Sequence, residues 1–237
     1  PGQSVASWLG SLRAALRYQP EELFLYPLYV RPLTGLGRRP DGRPLDDAGW
    51  DELRLSCYRA ARDLLHAEGY TQISMRMFRA AHAPIANEPT YCCQEDGMVG
   101  LGCGARSYTG GLHYASEYAV GASGVRAILA AYLRAPEAAF AAAHYGVALS
   151  PDDQRRRYLI QSLLQTEGLD RAAYQRRFGR DILEEIPQLA VLVEHRLATA
   201  QPGRLRLTAA GVERSDAIGP WLYTAEVTRL MAAYALR

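Results

Sequence analysis

Residues 97–111, GMVGLGCGARSYTGG, constrain this chain more than any other stretch, because six of the fifteen are glycine. Gly100, Gly102 and Gly104 remove the side chain at every second position. The backbone there can take positive φ, and a ligand or a second strand can approach closely. Such a segment is either a tight crossing in a core or the floor of a ligand site. The spacing Gly100-x-Gly102-x-x-Ala105 also fits the dinucleotide fingerprint, which requires a buried strand before it, a helix straight after it and an acid about 20 residues on. Only Met98 and Val99 separate the first of these glycines from the turn-like Glu95-Asp96-Gly97, and Tyr108-Thr109-Gly110-Gly111 stops a helix. That context speaks against a Rossmann-type loop.

Composition narrows the classes further. A chain of 237 residues and 26.2 kDa can bury a sizeable core in one large domain or two. With 49% hydrophobic and 22% charged residues it lies near the soluble globular average, which excludes disorder as its main state. No apolar run approaches the roughly 18 residues of a membrane-spanning helix. There is no lysine, so Schiff-base chemistry and a P-loop lysine are excluded. A formal charge of +2 gives no argument for nucleic acid. Cys57, Cys92, Cys93 and Cys103 form no spaced disulfide framework, and with no signal peptide a reducing cytoplasm is the expected setting. The opening PGQS reads as the turn that follows a strand in a repeating β/α unit, which implies that the natural N-terminal part is missing.

Before the glycine stretch the pattern is helix, strand, helix, strand. Over residues 4–18, Val5, Trp8, Leu9, Leu12, Ala15 and Leu16 recur at helical spacing, with Ser4 as N-cap. Residues 23–30, LFLYPLYV, read as a strand covered on both faces, weakened by Pro27. Residues 31–46, rich in proline and glycine, read as a loop on the side where parallel β/α architectures bind ligands. Trp50, Leu53, Cys57, Ala61 and Leu64 mark a second helix, ended by Gly69, with Cys57 as a core thiol. Residues 71–78, TQISMRMF, read as a strand with Ile73, Met75 and Met77 on one face. Strand, helix, strand at this spacing predicts parallel pairing with a right-handed crossover. Residues 79–95 read as a long functional loop.

After residue 122 helices dominate. Residues 123–134 and 136–145 read as helices, and Ser150-Pro151-Asp152-Asp153 starts another that runs to about 166, with Tyr158, Leu159, Ile160 and Leu163 inward. Helices over 171–178 and 182–198, a turn at Gln201-Pro202-Gly203, a strand over 204–207 and a last helix from Thr208 complete the chain. Three helices followed by a β-wing outline a winged-helix module. In a DNA-binding version Arg155, Arg156, Arg157, Arg176, Arg177 and Arg180 would touch phosphates. Asp152, Asp153, Asp181, Glu184 and Glu185 lie close by, so these arginines read as solvated faces and nucleic acid is not the expected partner.

Pro1-Gly2-Gln3-Ser4, Leu25-Tyr26-Pro27-Leu28, VGLGCGARSY at 99–108 and Leu207-Thr208-Ala209-Ala210-Gly211 occur in an order and spacing that carry a resemblance. The chain resembles the C-terminal half of oxygen-independent coproporphyrinogen III oxidase-like radical SAM proteins, a group that includes haem-chaperone and haem-degrading relatives. The resemblance covers essentially all 237 residues. It implies an α/β fold: the C-terminal part of a partial (βα)6 TIM-like barrel over residues 1–121, then a mostly helical, winged-helix-like domain over 122–237. It also implies oxidoreductase chemistry of porphyrin biosynthesis, in which a [4Fe–4S] cluster held by CxxxCxxC cleaves S-adenosylmethionine to a 5′-deoxyadenosyl radical. No CxxxCxxC occurs here. The cluster would therefore belong to the missing N-terminal part, and this chain alone would have no radical activity.

By the same resemblance Tyr29 and Val30 would meet the adenine of S-adenosylmethionine, and Gly102, Gly104, Ala105 and Arg106 would line the adenosyl group as a partial cofactor site. Relatives more often carry histidine or an aliphatic residue at Arg106, which here either stacks on adenine or pairs within the fold. No catalytic or metal-ligating residue is assigned, and the implied partner is a small molecule of tetrapyrrole type, with no membrane partner. The alternative is a haem or tetrapyrrole carrier without radical catalysis, with Tyr26, Tyr29, Met75, Met77, His82 and His113 as candidate axial ligands. Cys103 reads as a packed thiol rather than a nucleophile or cluster ligand. His113 with Glu117 one helical turn on could act as an acid–base pair, and His82 and His113 have no joint metal spacing.

Overall fold

A computed structural model describes residues 2–30, 34, 36, 48–84 and 95–234. In chain order the elements are α1 (Val5–Leu16), β1 (Glu22–Phe24), α2 (Ala48–Ala67), β2 (Tyr70–Gln72), β3 (Met77–Ala80), β4 (Ser107–Tyr108), β5 (Leu112–Tyr114), α3 (Ala122–Arg134), a 3-10 turn (Glu137–Phe140) and β6 (Gly146–Ala148). They continue with α4 (Pro151–Leu163), β7 (Leu169–Asp170), α5 (Arg171–Phe178), α6 (Ile182–Glu185), α7 (Leu189–Glu194), β8 (Ala198–Ala200), β9 (Arg204–Leu207), α8 (Ala209–Val212), α9 (Ser215–Trp221) and α10 (Ala225–Ala233). They form two compact units. One takes in residues 1–28, 46–90 and 159–222, the other 29–45, 91–158 and 223–237.

In the first unit α1 starts at Ser4, whose hydroxyl accepts the Ser7 N–H at 3.2 Å while Ser7 Oγ accepts the Ser4 N–H at 2.9 Å. Two of the four N–H groups left free at a helix start are thereby satisfied. Leu12 of α1, Ala61 and Leu65 of α2, and Leu25, Tyr70, Phe78 and Ala80 of the strand segments form one buried cluster. Full burial of Leu65 and Phe78 is worth about 1.5–3 kcal/mol each. Gly69, at φ +83°, ends α2 as its glycine predicts.

The strands correct the expected pairing. Residues 71–78 are not one strand: β2 and β3 form an antiparallel hairpin, with Gln72 opposite Phe78. Ser74 is the cause, because its hydroxyl accepts the Met77 N–H at 3.2 Å and folds the chain back. β3 then inserts between β1 and β2 and runs antiparallel to both. β1 and β2 keep the parallel sense of a strand–helix–strand crossover but share no ladder. The strand expected over 23–30 is shorter too: pairing stops after Leu25, whose N–H reaches the Arg76 carbonyl at 2.8 Å, just before Pro27, which has no N–H to give.

The helical part of the same unit begins with α5, capped by Asp170, whose carboxylate accepts the Ala173 N–H at 2.8 Å. The helix expected over 182–198 is two, α6 and α7, because Pro187 interrupts the backbone ladder. The sheet β7–β9–β8 is antiparallel and supplies the β-wing. The last helix likewise breaks into α8, α9 and α10, starting at Thr208 as expected. Glu213 follows α8 directly. Its side chain, 6% exposed, accepts two hydrogen bonds from Arg59 of α2 at 2.6 and 2.9 Å and one from Arg214 at 2.7 Å, with Arg62 at 4.0 Å.

The second unit contains the antiparallel sheet β4–β5–β6 with α3, the first half of α4, and α10. The helix expected over 136–145 is only the 3-10 turn, after which the chain enters β6. At α4 the expected start holds, with the Asp153 N–H donating to Ser150 Oγ at 3.1 Å and the Ser150 N–H donating to Asp153 Oδ2 at 3.0 Å. Trp50 gives no account of its packing, since its side chain, like Cys92 and Cys93 and most of 31–47, lies outside the described residues.

Removing the Glu213 carboxylate leaves three guanidinium groups facing one another at a largely dry position. Glu213→Ala is expected to lower the unfolding free energy by about 3 kcal/mol, measured by urea unfolding. The hydrogen bonds from Arg59, opposed by burial, hold the Glu213 carboxyl below its ordinary value. Its contribution is therefore present above the usual glutamate range and is lost as pH falls through it, so Glu213→Gln will show a shallower loss of stability in acid than the parent chain.

Candidate functional site

The glycine stretch folds as a closed turn rather than a strand. Met98 and Tyr108 exchange backbone hydrogen bonds at 2.8 and 2.9 Å, which pins its two ends together. Inside, the Gly100 N–H donates to Ser107 Oγ at 2.9 Å, the Gly104 N–H to Ser116 Oγ at 2.5 Å, and the Ala105 N–H to the Gly102 carbonyl at 3.3 Å. Glycine is needed at Gly100 because a Cβ there would lie 2.5 Å from the Arg106 carbonyl. Gly102 and Gly104 are needed for conformation, at φ +95° and +79°, and the space where their side chains would stand is open.

The turn presents an unusual surface. Val99 and Leu101 are 73% and 89% exposed, Gly102, Gly104 and Arg106 are exposed, and Ala105 and Cys103 are half-buried. Gly102, Gly104, Ala105 and Arg106 are thus brought together in one turn. Tyr29 and Val30 stand in a separate extended segment of the same unit, outside any described strand. Cys103 Sγ lies 3.9 Å from Ser116 Oγ.

Beside the turn, β4, β5 and β6 align Tyr108, His113 and Val147 in one cross-strand row. Arg157 of α4 donates from Nε to His113 Nε2 at 3.1 Å and stacks its guanidinium 4.6 Å from the Tyr108 ring centre, and the Tyr108 and His113 rings are 5.3 Å apart. Accepting at Nε2 fixes the neutral histidine with its proton on Nδ1. Burial first, and the Arg157 charge second, push the His113 pKa down. The expected helical pairing of His113 with Glu117 does not exist, because His113 is a strand residue and residues 115–118 are not helical. Tyr108 and Arg157 carry no motif that marks them; the strand register and the α4 N-cap together are the only sequence signals that bring them near His113.

The other singled-out side chains are accounted for locally. His82 Nε2 is 3.1 Å from the Gln19 carbonyl. Arg76 stacks over the exposed Tyr26 ring and pairs with Asp216, Met77 lies opposite Phe24 in the sheet, and Met75 falls in the hairpin turn. Arg155 and Arg156 face Asp152 at 3.9 and 3.0 Å. The described residues do not fit an iron–sulfur cluster: Cys57 belongs to α2, Cys103 to the turn, and no group of three His, Cys, Asp or Glu among them could hold a metal. Burial raises the Cys57 thiol pKa, as suits a packed thiol. No helix among the described residues is long and apolar enough to cross a membrane.

Comparison with known proteins agrees with the resemblance. Residues 149–213 match the HemN C-terminal domain. The heme chaperone HemW of Escherichia coli (strain K12) is 36% identical over 112 residues, and that of Haemophilus influenzae 30% identical over 105. Each alignment covers 44% of this chain and 26% of the relative, so the chain matches about a quarter of the length of these proteins. In fold it is similar to the coproporphyrinogen III oxidase HemN from Escherichia coli, described as a radical SAM enzyme, with a TM-score of 0.67 at 17% identity over 94% of this chain and 52% of that one.

The electrostatic account of His113 has a direct check. Replacing Arg157 by methionine removes the charge and the Nε donor but leaves the burial, so the His113 pKa will rise while staying below the ordinary histidine value, as read by an NMR titration of its ring signals.

Proposed function

Residues 149–213 being a HemN C-terminal domain on a HemN-like fold, we propose that this chain is the C-terminal portion of a radical SAM protein of the coproporphyrinogen oxidase type. In this reading residues 1–121 supply barrel elements and 122–237 the C-terminal domain. The turn at Gly102, Gly104, Ala105 and Arg106 packs against the adenosyl group of S-adenosylmethionine, with Tyr29 and Val30 at its adenine. When bound with its cluster, that cofactor supplies a 5′-deoxyadenosyl radical to a tetrapyrrole or related substrate in the cytoplasm. The observation that carries the reading is the open space over two positive-φ glycines whose turn is already held from within by Ser107 and Ser116. A flat ligand can lie on that backbone without displacing any side chain. The exposed Arg106 guanidinium beside it can stack on a purine or meet a carboxylate.

The adenosyl contact is tested with a fragment that needs no cluster. Saturation-transfer NMR with 5′-deoxyadenosine should give a signal with this chain, reduced about tenfold in apparent affinity by Arg106→Ala and abolished by Gly102→Val, with circular dichroism unchanged in the first variant. A parent chain that gives no transfer would remove the site.

A second reading, haem carriage without radical catalysis, is favoured by the naming of both aligned relatives as heme chaperones. Among the side chains considered as axial ligands, Tyr26 is the one placed for it, since it is 66% exposed, while both His113 and His82 already use Nε2 within the fold. Haemin titration is then expected to give a Soret shift that Tyr26→Phe weakens and His113→Gln leaves unchanged.

A further inference from the structure

Helix α10 is held unlike any other helix of the second unit. None of its nine residues is buried, and only Val227 is half-buried. A helix this short, with no buried apolar face, has little to keep it formed in water. Its fastenings are polar and lie at its two ends. At the start, Thr224 caps the helix by accepting the Val227 N–H at 3.2 Å and donates its hydroxyl proton to Asp153 Oδ1 at 2.7 Å. The other oxygen of that carboxylate accepts the Ser150 N–H at 3.0 Å and the Ser150 hydroxyl at 2.6 Å. One carboxylate therefore joins the N-termini of α4 and α10.

At the far end the Tyr234 hydroxyl donates to the Tyr118 carbonyl at 2.5 Å, and the two rings lie 6.3 Å apart. Tyr118 is two residues beyond Ser116, whose hydroxyl accepts the Gly104 N–H at 2.5 Å. The chain of contacts thus runs from Asp153 through the length of α10 to the segment that supports the glycine turn.

We propose that α10 is a releasable strap, clasped at Asp153 and at Tyr118, whose seating sets the order of the glycine turn. Releasing it exposes almost no apolar surface, so it opens as a local unit without unfolding α4 or the β4–β5–β6 sheet. The clasp itself is firm: burial alone would raise the Asp153 pKa, but the hydrogen bonds from Ser150 and Thr224, with Arg156 nearby, bring it below the ordinary aspartate value. Glu226, the acid of the first turn of α10, is turned to Arg229 at 2.6 and 2.8 Å.

Hydrogen–deuterium exchange on the whole chain tests the strap without reference to any ligand. Thr224→Val, which keeps size and loses the hydroxyl, should speed exchange over residues 225–233 about tenfold or more and over residues 100–107 at least about threefold, with α4 unchanged. Thr224→Ser restores both. Tyr234→Phe should reproduce the effect on residues 100–107 from the other end. Unchanged exchange over 225–233 in Thr224→Val overturns the clasp, and faster exchange there with an unaltered turn overturns the coupling. A parent chain whose α10 exchanges at the rate of an unstructured peptide overturns both.

Discussion

A carboxylate almost wholly removed from water costs several kcal/mol unless its lone pairs are met, and Glu213 is placed so that they are. Two of its bonds come from Arg59, 154 residues earlier in the chain, and a third from Arg214 beside it. This constraint reaches back into the sequence before it. Thr208 caps α8 by accepting the Gly211 N–H at 3.2 Å, and its hydroxyl donates to the Arg196 carbonyl at 2.8 Å. Gly211 itself sits against the Leu197 carbonyl, where any Cβ would collide. Leu207-Thr208-Ala209-Ala210-Gly211 is thus a short capped helix docked on the α7–β8 connection, and its register aims Glu213 at α2. A one-residue slip would turn the carboxylate about 100° away from Arg59. The same pairing explains why the first unit combines residues from both ends of the chain instead of following chain order.

Local signals in the sequence reach the structure where one residue settles one conformation. Ser4, Gly69, Ser150 and Thr208 each stand at the helix boundary their chemistry implies. The sequence is misleading where a polar side chain competes with an apolar pattern. Ile73, Met75 and Met77 alternate as a strand should, yet the Ser74 hydroxyl captures the Met77 N–H, and two short strands result. The antiparallel insertion of β3 between β1 and β2 follows from that turn alone. Residues 136–145 mislead for the opposite reason: alanine favours helix, but after Pro136 only a 3-10 turn precedes β6, where Gly146 must fit closely against His113 and Tyr114.

In the candidate site the glycines announce a close backbone approach, and that is what they make. What they do not announce is who holds the turn. Ser107 and Ser116 are ordinary residues in sequence, and only folding turns their hydroxyls toward Gly100 and Gly104. The contact of Arg157 with His113 spans 44 residues and depends on the strand register of β4 and β5 as well as on where α4 begins. No spacing rule in a single chain encodes such a meeting. It arises because Tyr108 offers its ring face to a guanidinium that must also reach Nε2 of the cross-strand histidine.

The hydrogen bonds of the turn also discriminate between ligand classes. A phosphate-binding glycine loop keeps its N–H groups pointing outward and usually opens a helix whose dipole adds to them. Here the N–H groups of Gly100, Gly104 and Ala105 are spent on Ser107, Ser116 and Gly102, and no helix follows until α3. Such a surface offers little to a phosphate. It suits a flat, largely apolar group that asks for close van der Waals contact over the glycines, beside the exposed Val99 and Leu101. Arg106, which is the one charged residue of the stretch, then meets whatever polar or ring portion lies at its rim. A nucleoside linked to an amino-acid carboxylate satisfies those demands in a way that a dinucleotide pyrophosphate does not, and the context of Gly100-x-Gly102-x-x-Ala105 in the sequence leads to the same exclusion by a different route.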